Sequence, residues 1–200
     1  MDTVDAERRL PERTRERLRN RVTRTGERDD LEVTAPYTGE RVGAVPLCTA
    51  DDVKTAIERA RAAGAAWAER PVEQRAAIVQ SVADEMLDDR AGLLDTVQLE
   101  TGKARFDALE ELLDVVLNAD YYARKGPGYL AAEERTGGLP LVTTATEYHD
   151  PVGVVGLIEP WNYPLTLAIS DLLPALLAGN GVVLKPAEAT PFTALRAVEL

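Results

Sequence analysis

The apolar positions of this chain recur with different periods in different stretches. Over residues 7–28 there is almost nothing to bury: nine arginines interleave with Glu12, Glu16 and Glu27, and only Leu10, Leu18 and Val22 are apolar. That pattern predicts a solvated helix laced with ion pairs three and four residues apart, in preference to a membrane or nucleic-acid arm. Residues 1–32 are accordingly set apart as an arginine-rich N-terminal helix. At Pro36-Tyr37-Thr38-Gly39-Glu40 the pattern becomes a turn between two short extended pieces.

Four helical segments follow. Thr49 or Asp51 is placed to cap the first, whose inner face reads Val53, Ile57, Ala60 and Trp67, with Gly64 on the same face for close packing. Pro71 starts the second, which buries Ile78, Val79, Val82, Met86 and Leu87. The third, near 91–100, stops at Thr101-Gly102, where glycine takes the left-handed cap conformation. The fourth, about 104–124, presents Phe106, Leu109, Leu113, Val116 and Leu117 and ends at Gly126-Pro127-Gly128.

After Gly137-Gly138 the period falls to two. Val142, Thr144, Thr146 and Tyr148 alternate with Thr143 and Glu147, as in a half-buried strand or hairpin. The last fifty residues differ again. Val152–Ile158 is an apolar run, a helix follows over about 165–177 with a kink expected at Pro174, and Val182-Val183-Leu184 is a second apolar strand. Thr190-Pro191 caps a further helix. Apolar strands separated by a helix predict a parallel βαβ unit buried on both faces, and the chain as a whole is α/β.

In an open parallel sheet, ligands sit beyond the carboxyl ends of the strands. The first strand delivers Glu159, Pro160, Trp161 and Asn162 there, and the second delivers Lys185, Pro186, Ala187 and Glu188. A carboxylate that accepts from ribose hydroxyls and an ammonium that donates to them suit a dinucleotide, although no G-x-G-x-x-G turn is present. Structural readings stand beside this one. Asn162 is equally suited to cap the helix at Tyr163-Pro164, Lys185 and Glu188 to form a surface ion pair, and Trp161 to sit in a core.

Composition narrows the partners. A net charge of -11 argues against nucleic acid, which needs a positive footprint. No run of about 18 apolar residues and no signal-peptide pattern occurs, so a soluble, cytoplasmic chain with no membrane partner is expected. The single cysteine, Cys48, fits a reducing compartment. Only four lysines occur, Lys54, Lys103, Lys125 and Lys185. A lysine-poor acidic surface resembles that of proteins from salt-loving archaea, and a high-GC genome produces the same balance.

Two long blocks carry a resemblance. Gly153–Leu165, ending in Pro160-Trp161-Asn162-Tyr163-Pro164-Leu165, and Pro174–Glu188 resemble consecutive motifs of the NAD(P)-dependent aldehyde dehydrogenases, and Glu100-Thr101-Gly102-Lys103 fits upstream. The resemblance spans roughly residues 33–200. It implies the N-terminal part of that fold: a helical part leading into a Rossmann-like parallel-sheet coenzyme-binding domain, incomplete at its C-terminus, with the catalytic domain absent. It also implies that Asn162 donates to the oxyanion formed when a cysteine thiolate attacks the aldehyde, on the way to a thioester and then the carboxylate. Lys185 and Glu188 match the pair that holds the adenosine ribose. Glu159, Pro160, Trp161 and Ala187 complete the coenzyme cleft. Glu188 favours NAD, with NADP possible where that carboxylate turns aside. Residues 138–150 look like part of an oligomerisation arm, so the complete protein is expected to be a homo-oligomer acting on a small-molecule aldehyde.

The run Tyr121-Tyr122-Ala123-Arg124 together with Trp161–Leu167 looks most like a succinate-semialdehyde dehydrogenase branch. One departure is Ser170, beside Asp171, where members with that activity carry an arginine for the substrate carboxylate. Another region must supply that cation. The nucleophilic cysteine and the general base lie beyond Leu200 in the family's layout, and Cys48 and His149 are read as structural. The 200 residues therefore read as a fragment of a longer enzyme, inactive alone, with a non-catalytic nucleotide-binding or interaction remnant as the alternative. No metal site is expected.

Overall fold

The computed structural model describes residues 10–139 and 142–200. In chain order the elements are α1 (Glu12–Arg19), β1 (Asp30–Thr34), β2 (Arg41–Pro46), α2 (Ala50–Ala68), α3 (Val72–Asp88), α4 (Arg90–Thr101) and α5 (Arg105–Leu130). Then come β3 (Glu133–Thr136), β4 (Thr144–Glu147), β5 (Val154–Ile158), α6 (Pro164–Ser170), α7 (Leu172–Leu177), β6 (Gly181–Lys185) and α8 (Pro191–Ala197). β1 with β2 and β3 with β4 pair antiparallel, and β5 with β6 pairs parallel, so the α/β reading holds. No helix among the described residues is long and apolar enough to cross a membrane.

The arginine-rich start is less helical than its charge pattern predicts. α1 ends at Arg19, β1 begins at Asp30, and residues 7–9 lie outside the described part. Leu18 and Leu10 are buried with Val33, Val45, Leu99 and Phe192, which pins the segment to the body. Its arginines reach distant carboxylates: Arg17 and Arg21 pair with Glu199, Arg19 with Asp30 and Arg28 with Asp52. Buried leucines and long-range pairs replace the expected solvated helix.

Thr49 opens α2, and Asp52 accepts from both its N–H and its hydroxyl at 2.9 and 3.0 Å. The Arg28 guanidinium and these bonds hold the Asp52 carboxyl well below the usual carboxylate range. Asp52 takes the inward position, so Val53, expected inside, faces solvent. Further along, α2 lies on β6. A Cβ added at Gly64 would stand 2.6 Å from the backbone nitrogen of Gly181, so this contact requires glycine.

The main core joins α3, α4 and α5 to α6, α7 and α8 through residues such as Met86, Leu93, Leu112, Leu165, Leu173 and Ala194. Two expected faces hold only in part: Val79, Val82 and Met86 of α3 and Leu109 and Val116 of α5 pack inward as expected, and their neighbours do not. Ile78 of α3 is exposed, and so are Phe106, Leu113 and Leu117 of α5. The stripe of α5 that packs inward is Ala108, Leu112, Val115 and Ala119, with Glu111 among them. Small side chains on that stripe let the neighbouring helices approach. Nor does α5 stop at Gly126-Pro127-Gly128: it runs through to Leu130. A Cβ at Gly126 would meet Leu177 at 2.0 Å, so this glycine serves a contact with α7 rather than a terminus.

The β3–β4 hairpin is exposed at all eight positions instead of half-buried, and Arg135 bridges Glu133 and Glu147 along it. Residues 140–141 of the expected alternating strand lie outside the described part. Beyond the hairpin, the predicted helix over 165–177 is two helices. Pro174 has no N–H for the carbonyl of Ser170 and its ring crowds that carbonyl, so the break falls at Asp171. Asn180 then ties the unit together: it accepts from the Gly153 N–H and donates to the Ala175 carbonyl, each at 3.0 Å. The strands are half-buried, not covered on both faces. α2 and α7 pack on β6, while Gly156 and Ile158 of β5 face outward.

Candidate functional site

The parallel ladder pairs Ile158 with Lys185, and the Glu159 N–H donates to the Lys185 carbonyl at 3.0 Å. Both strands therefore end at the same level, and the two sets of residues expected at one crevice do emerge side by side. Trp161 is 64% exposed, which removes the core reading for it. Pro160 is exposed and Ala187 half-buried. Glu159 is half-buried, and burial, with Asp171 nearby, raises its carboxyl.

Lys185 and Glu188 form an ion pair at 3.6 Å, and the Lys185 ammonium also donates to the Pro186 carbonyl. Both side chains are more than half exposed. Exposed pairs of this kind stabilise a fold by about 1 kcal/mol at most, so the pair is little needed for folding and is accessible to a ligand.

Asn162 does not cap the helix behind it. The N-cap of α6 is Tyr163, whose side chain makes no cap bond, and Pro164 occupies the first turn. The cap comes from α5. One carboxylate oxygen of Glu111 accepts from the Leu165 and Thr166 N–H groups at 2.9 and 3.3 Å, and the other accepts from Lys103. The Lys103 ammonium also sits 3.9 Å from the centre of the Tyr163 ring. The Asn162 amide makes no hydrogen bond with a described residue and is solvent-accessible.

A second buried acid repeats this arrangement. Glu100 of α4 accepts from the Phe192 N–H, the Thr193 N–H and the Thr193 hydroxyl at 2.7, 2.7 and 2.6 Å, so it caps α8. Thr190, expected to cap that helix, leaves its buried hydroxyl without a partner. Neither capping role is visible in the sequence, where Glu100 enters only through the Glu100–Lys103 motif. The available signal was position: Glu111 lies on the same helical stripe as Ala108, Leu112, Val115 and Ala119, and an acid on an apolar stripe must find partners.

The remaining candidates fall away from this site. Cys48 is exposed just before α2, and partial burial with the Asp52 carboxylate nearby pushes its thiol up, away from the thiolate a nucleophile needs. His149 pairs with Glu147 at 3.5 Å at the end of the hairpin. Ser170 donates to Asp114 at 3.2 Å, so this position presents carboxylates and no cation. A shallow apolar pocket of about 470 Å³ between α2 and β6, lined by Gly64, Trp67, Leu176 and Val182 among others, includes none of residues 159–162 or 185–188 and belongs to helix–sheet packing.

Comparison with known proteins bears on the family and the fold. The Aldehyde dehydrogenase family pattern matches residues 22–200. A protein of Mycolicibacterium smegmatis with the provisional name succinate-semialdehyde dehydrogenase [NADP(+)] is 49% identical over 164 residues, covering 82% of this chain and 32% of the relative. The crystal structure of a Mycobacterium tuberculosis aldehyde dehydrogenase complexed with NAD+ superposes with a TM-score of 0.81 at 35% identity, over 88% of this chain and 37% of that one. Succinate-semialdehyde dehydrogenase from Burkholderia pseudomallei superposes with a TM-score of 0.79 at 33% identity, over 86% of this chain and 35% of that one. The chain thus spans about a third of the length of these relatives. By sequence pattern and by fold, this chain belongs to the aldehyde dehydrogenase family.

Proposed function

We propose that these residues form the coenzyme-ribose and oxyanion side of an enzyme that oxidises an aldehyde to its carboxylate with NAD(P). The observation that carries this reading is the shared level of the β5 and β6 ends, which sets Asn162 and the Lys185–Glu188 pair along one edge with the Asn162 amide free. Lys185 is placed to donate to the ribose hydroxyls and Glu188 to accept from them. Trp161, with Glu159, Pro160 and Ala187, forms the wall. A bound nicotinamide supplies a two-electron acceptor. The chain's own contribution to the chemistry is Asn162: its amide donates to the aldehyde oxygen as negative charge develops there, an interaction typically worth about 3–4 kcal/mol.

The attacking thiolate comes from a part of the enzyme outside these 200 residues. Cys48, whose thiol burial pushes up, is not that group. Succinate semialdehyde is the leading substrate, on the resemblance of residues 121–124 and 161–167 and the names of the relatives. Its carboxylate must meet a cation elsewhere, because Ser170 faces Asp114. Both coenzymes are accommodated. Glu188 disfavours a 2′-phosphate by like charge, yet as an exposed side chain paired only loosely with Lys185 it is free to rotate. The exposed β3–β4 hairpin is assigned to an oligomerisation arm whose outer strand edges pair with another copy.

The test is coenzyme reduction by the full-length protein with a panel of aldehydes. Succinate semialdehyde should be turned over with a kcat/KM about tenfold or more above that of butanal, since the two differ by one charged group. Equal values would assign a different aldehyde, and no turnover of any aldehyde would sink the reading.

A further inference from the structure

We infer that Glu111, paired with Lys103, is the positioning residue for Asn162: from α5 it fixes the start of α6 and so sets where the Asn162 amide stands. The inference rests on the proposed role of Asn162 as oxyanion donor.

Asn162 cannot locate itself. Its side chain bonds to no described residue, so its position is inherited from the backbone that follows. That backbone is the start of a seven-residue helix with no cap bond of its own and a proline in its first turn. The next two N–H groups, of Leu165 and Thr166, both end on one oxygen of Glu111. The Thr166 hydroxyl donates to the Glu111 carbonyl at 3.2 Å, a third tie between Glu111 and the start of α6. Glu111 is fully buried, and a buried carboxylate persists only when its charge is answered. Lys103 answers it at 2.5 Å on the other oxygen and places the same ammonium against the ring of Tyr163, the residue next to Asn162. The two members of one ion pair thereby hold Tyr163, Leu165 and Thr166. An oxyanion donor acts only from within hydrogen-bond reach of where charge develops, so a small shift at residue 162 lowers turnover without loosening coenzyme.

The test is a double-mutant cycle in the full-length protein, measuring kcat and the coenzyme KM for wild type, Glu111→Gln, Asn162→Ala and the double variant. Glu111→Gln keeps an acceptor for α6 but loses the charge that Lys103 answers. Its kcat should fall about tenfold to a hundredfold while the coenzyme KM stays within about twofold. In the Asn162→Ala background the same change should lower kcat by no more than about twofold, because the donor it positions is gone. Lys103→Arg should restore what Lys103→Met loses. Amide exchange at Leu165 and Thr166, measured without coenzyme, should quicken about tenfold in Glu111→Gln. If that variant does not fold, Glu111→Asp, which keeps the charge and shortens the reach, takes its place in the same cycle. A kcat unchanged by the substitution, or lowered by the same factor with and without Asn162, overturns the inference and leaves Glu111 as a helix cap. A wild-type protein that oxidises no aldehyde overturns instead the role of Asn162, and this inference with it.

Discussion

The Glu159 N–H donates to the carbonyl of Lys185, one step beyond the last paired residues of the β5–β6 ladder. This bond fixes the two strand ends relative to each other, so residues 159–162 and 185–188 emerge side by side. Lys185 has no buried partner, and its contacts with Glu188 and the Pro186 carbonyl are exposed. Replacing it should therefore weaken coenzyme binding without harming the fold. Lys185→Ala is expected to raise the coenzyme KM about tenfold or more, the contribution of a hydrogen bond from a charged donor, with kcat within about twofold. Steady-state kinetics with varied coenzyme check it.

In the proposed site, Glu188 is the charge that a coenzyme 2′-phosphate would meet. Glu188→Gln removes the charge that a 2′-phosphate would meet and keeps a polar group for the ribose. The ratio of kcat/KM for NADP to that for NAD should rise about tenfold, one unit charge at partly solvated range. An unchanged ratio in parallel assays would show that the carboxylate already stands aside.

Gly64 and Gly181 meet where α2 crosses β6, with no room for a methyl group on either. Gly64→Ala should destabilise the protein by about 1–3 kcal/mol, the usual cost of overpacking, although alanine is the better helix former. Urea denaturation measures this. A stabilised variant would mean that α2 and β6 separate without cost.

Burial raises the Glu100 carboxyl from its ordinary 4.5 to about 7, against the lowering effect of its bonds to Thr193 and Phe192. Its folded-state pKa thus lies above the unfolded one, so the folded state holds the extra proton. The associated stability is present in full below the unfolded value of 4.5 and declines until pH passes about 7. Glu100→Gln has no such proton. The stability of wild type relative to Glu100→Gln should fall by about 3 kcal/mol between pH 4.5 and 7 and be flat above. Parallel denaturation curves across that range give the slope, and a rising difference would reverse the assignment.

Much of this could be read along the chain because it depends on neighbours in sequence. Gly102 does take the left-handed conformation that ends α4, with φ 74°, and Thr49 does open α2. The two strand ends were legible because a parallel βαβ unit brings its carboxyl ends together whatever surrounds it. What could not be read were choices made by distant partners. α5 carries apolar residues on two stripes, and only the arrival of α3 and α6 decides that Leu112 turns in while Leu113 and Leu117 turn out. The caps at Glu100 and Glu111 join residues 92 and 54 positions apart, and an acid within a helix looks from sequence like a solvated residue. Asn162 sits between the two cases. Sequence offered it a cap or a catalytic role, and the long-range bond from Glu111 removes the first.

In the proposed aldehyde-oxidising site Asn162 stands at the reacting end, and NAD(P)H formation from succinate semialdehyde and other aldehydes by full-length wild type and Asn162→Ala decides whether it does. This placement of Asn162 entails aldehyde-dependent reduction by wild type and a kcat about 100- to 1,000-fold lower in the variant, with coenzyme affinity unchanged. Equal kcat in the two proteins, or no aldehyde-dependent reduction by wild type, would contradict it.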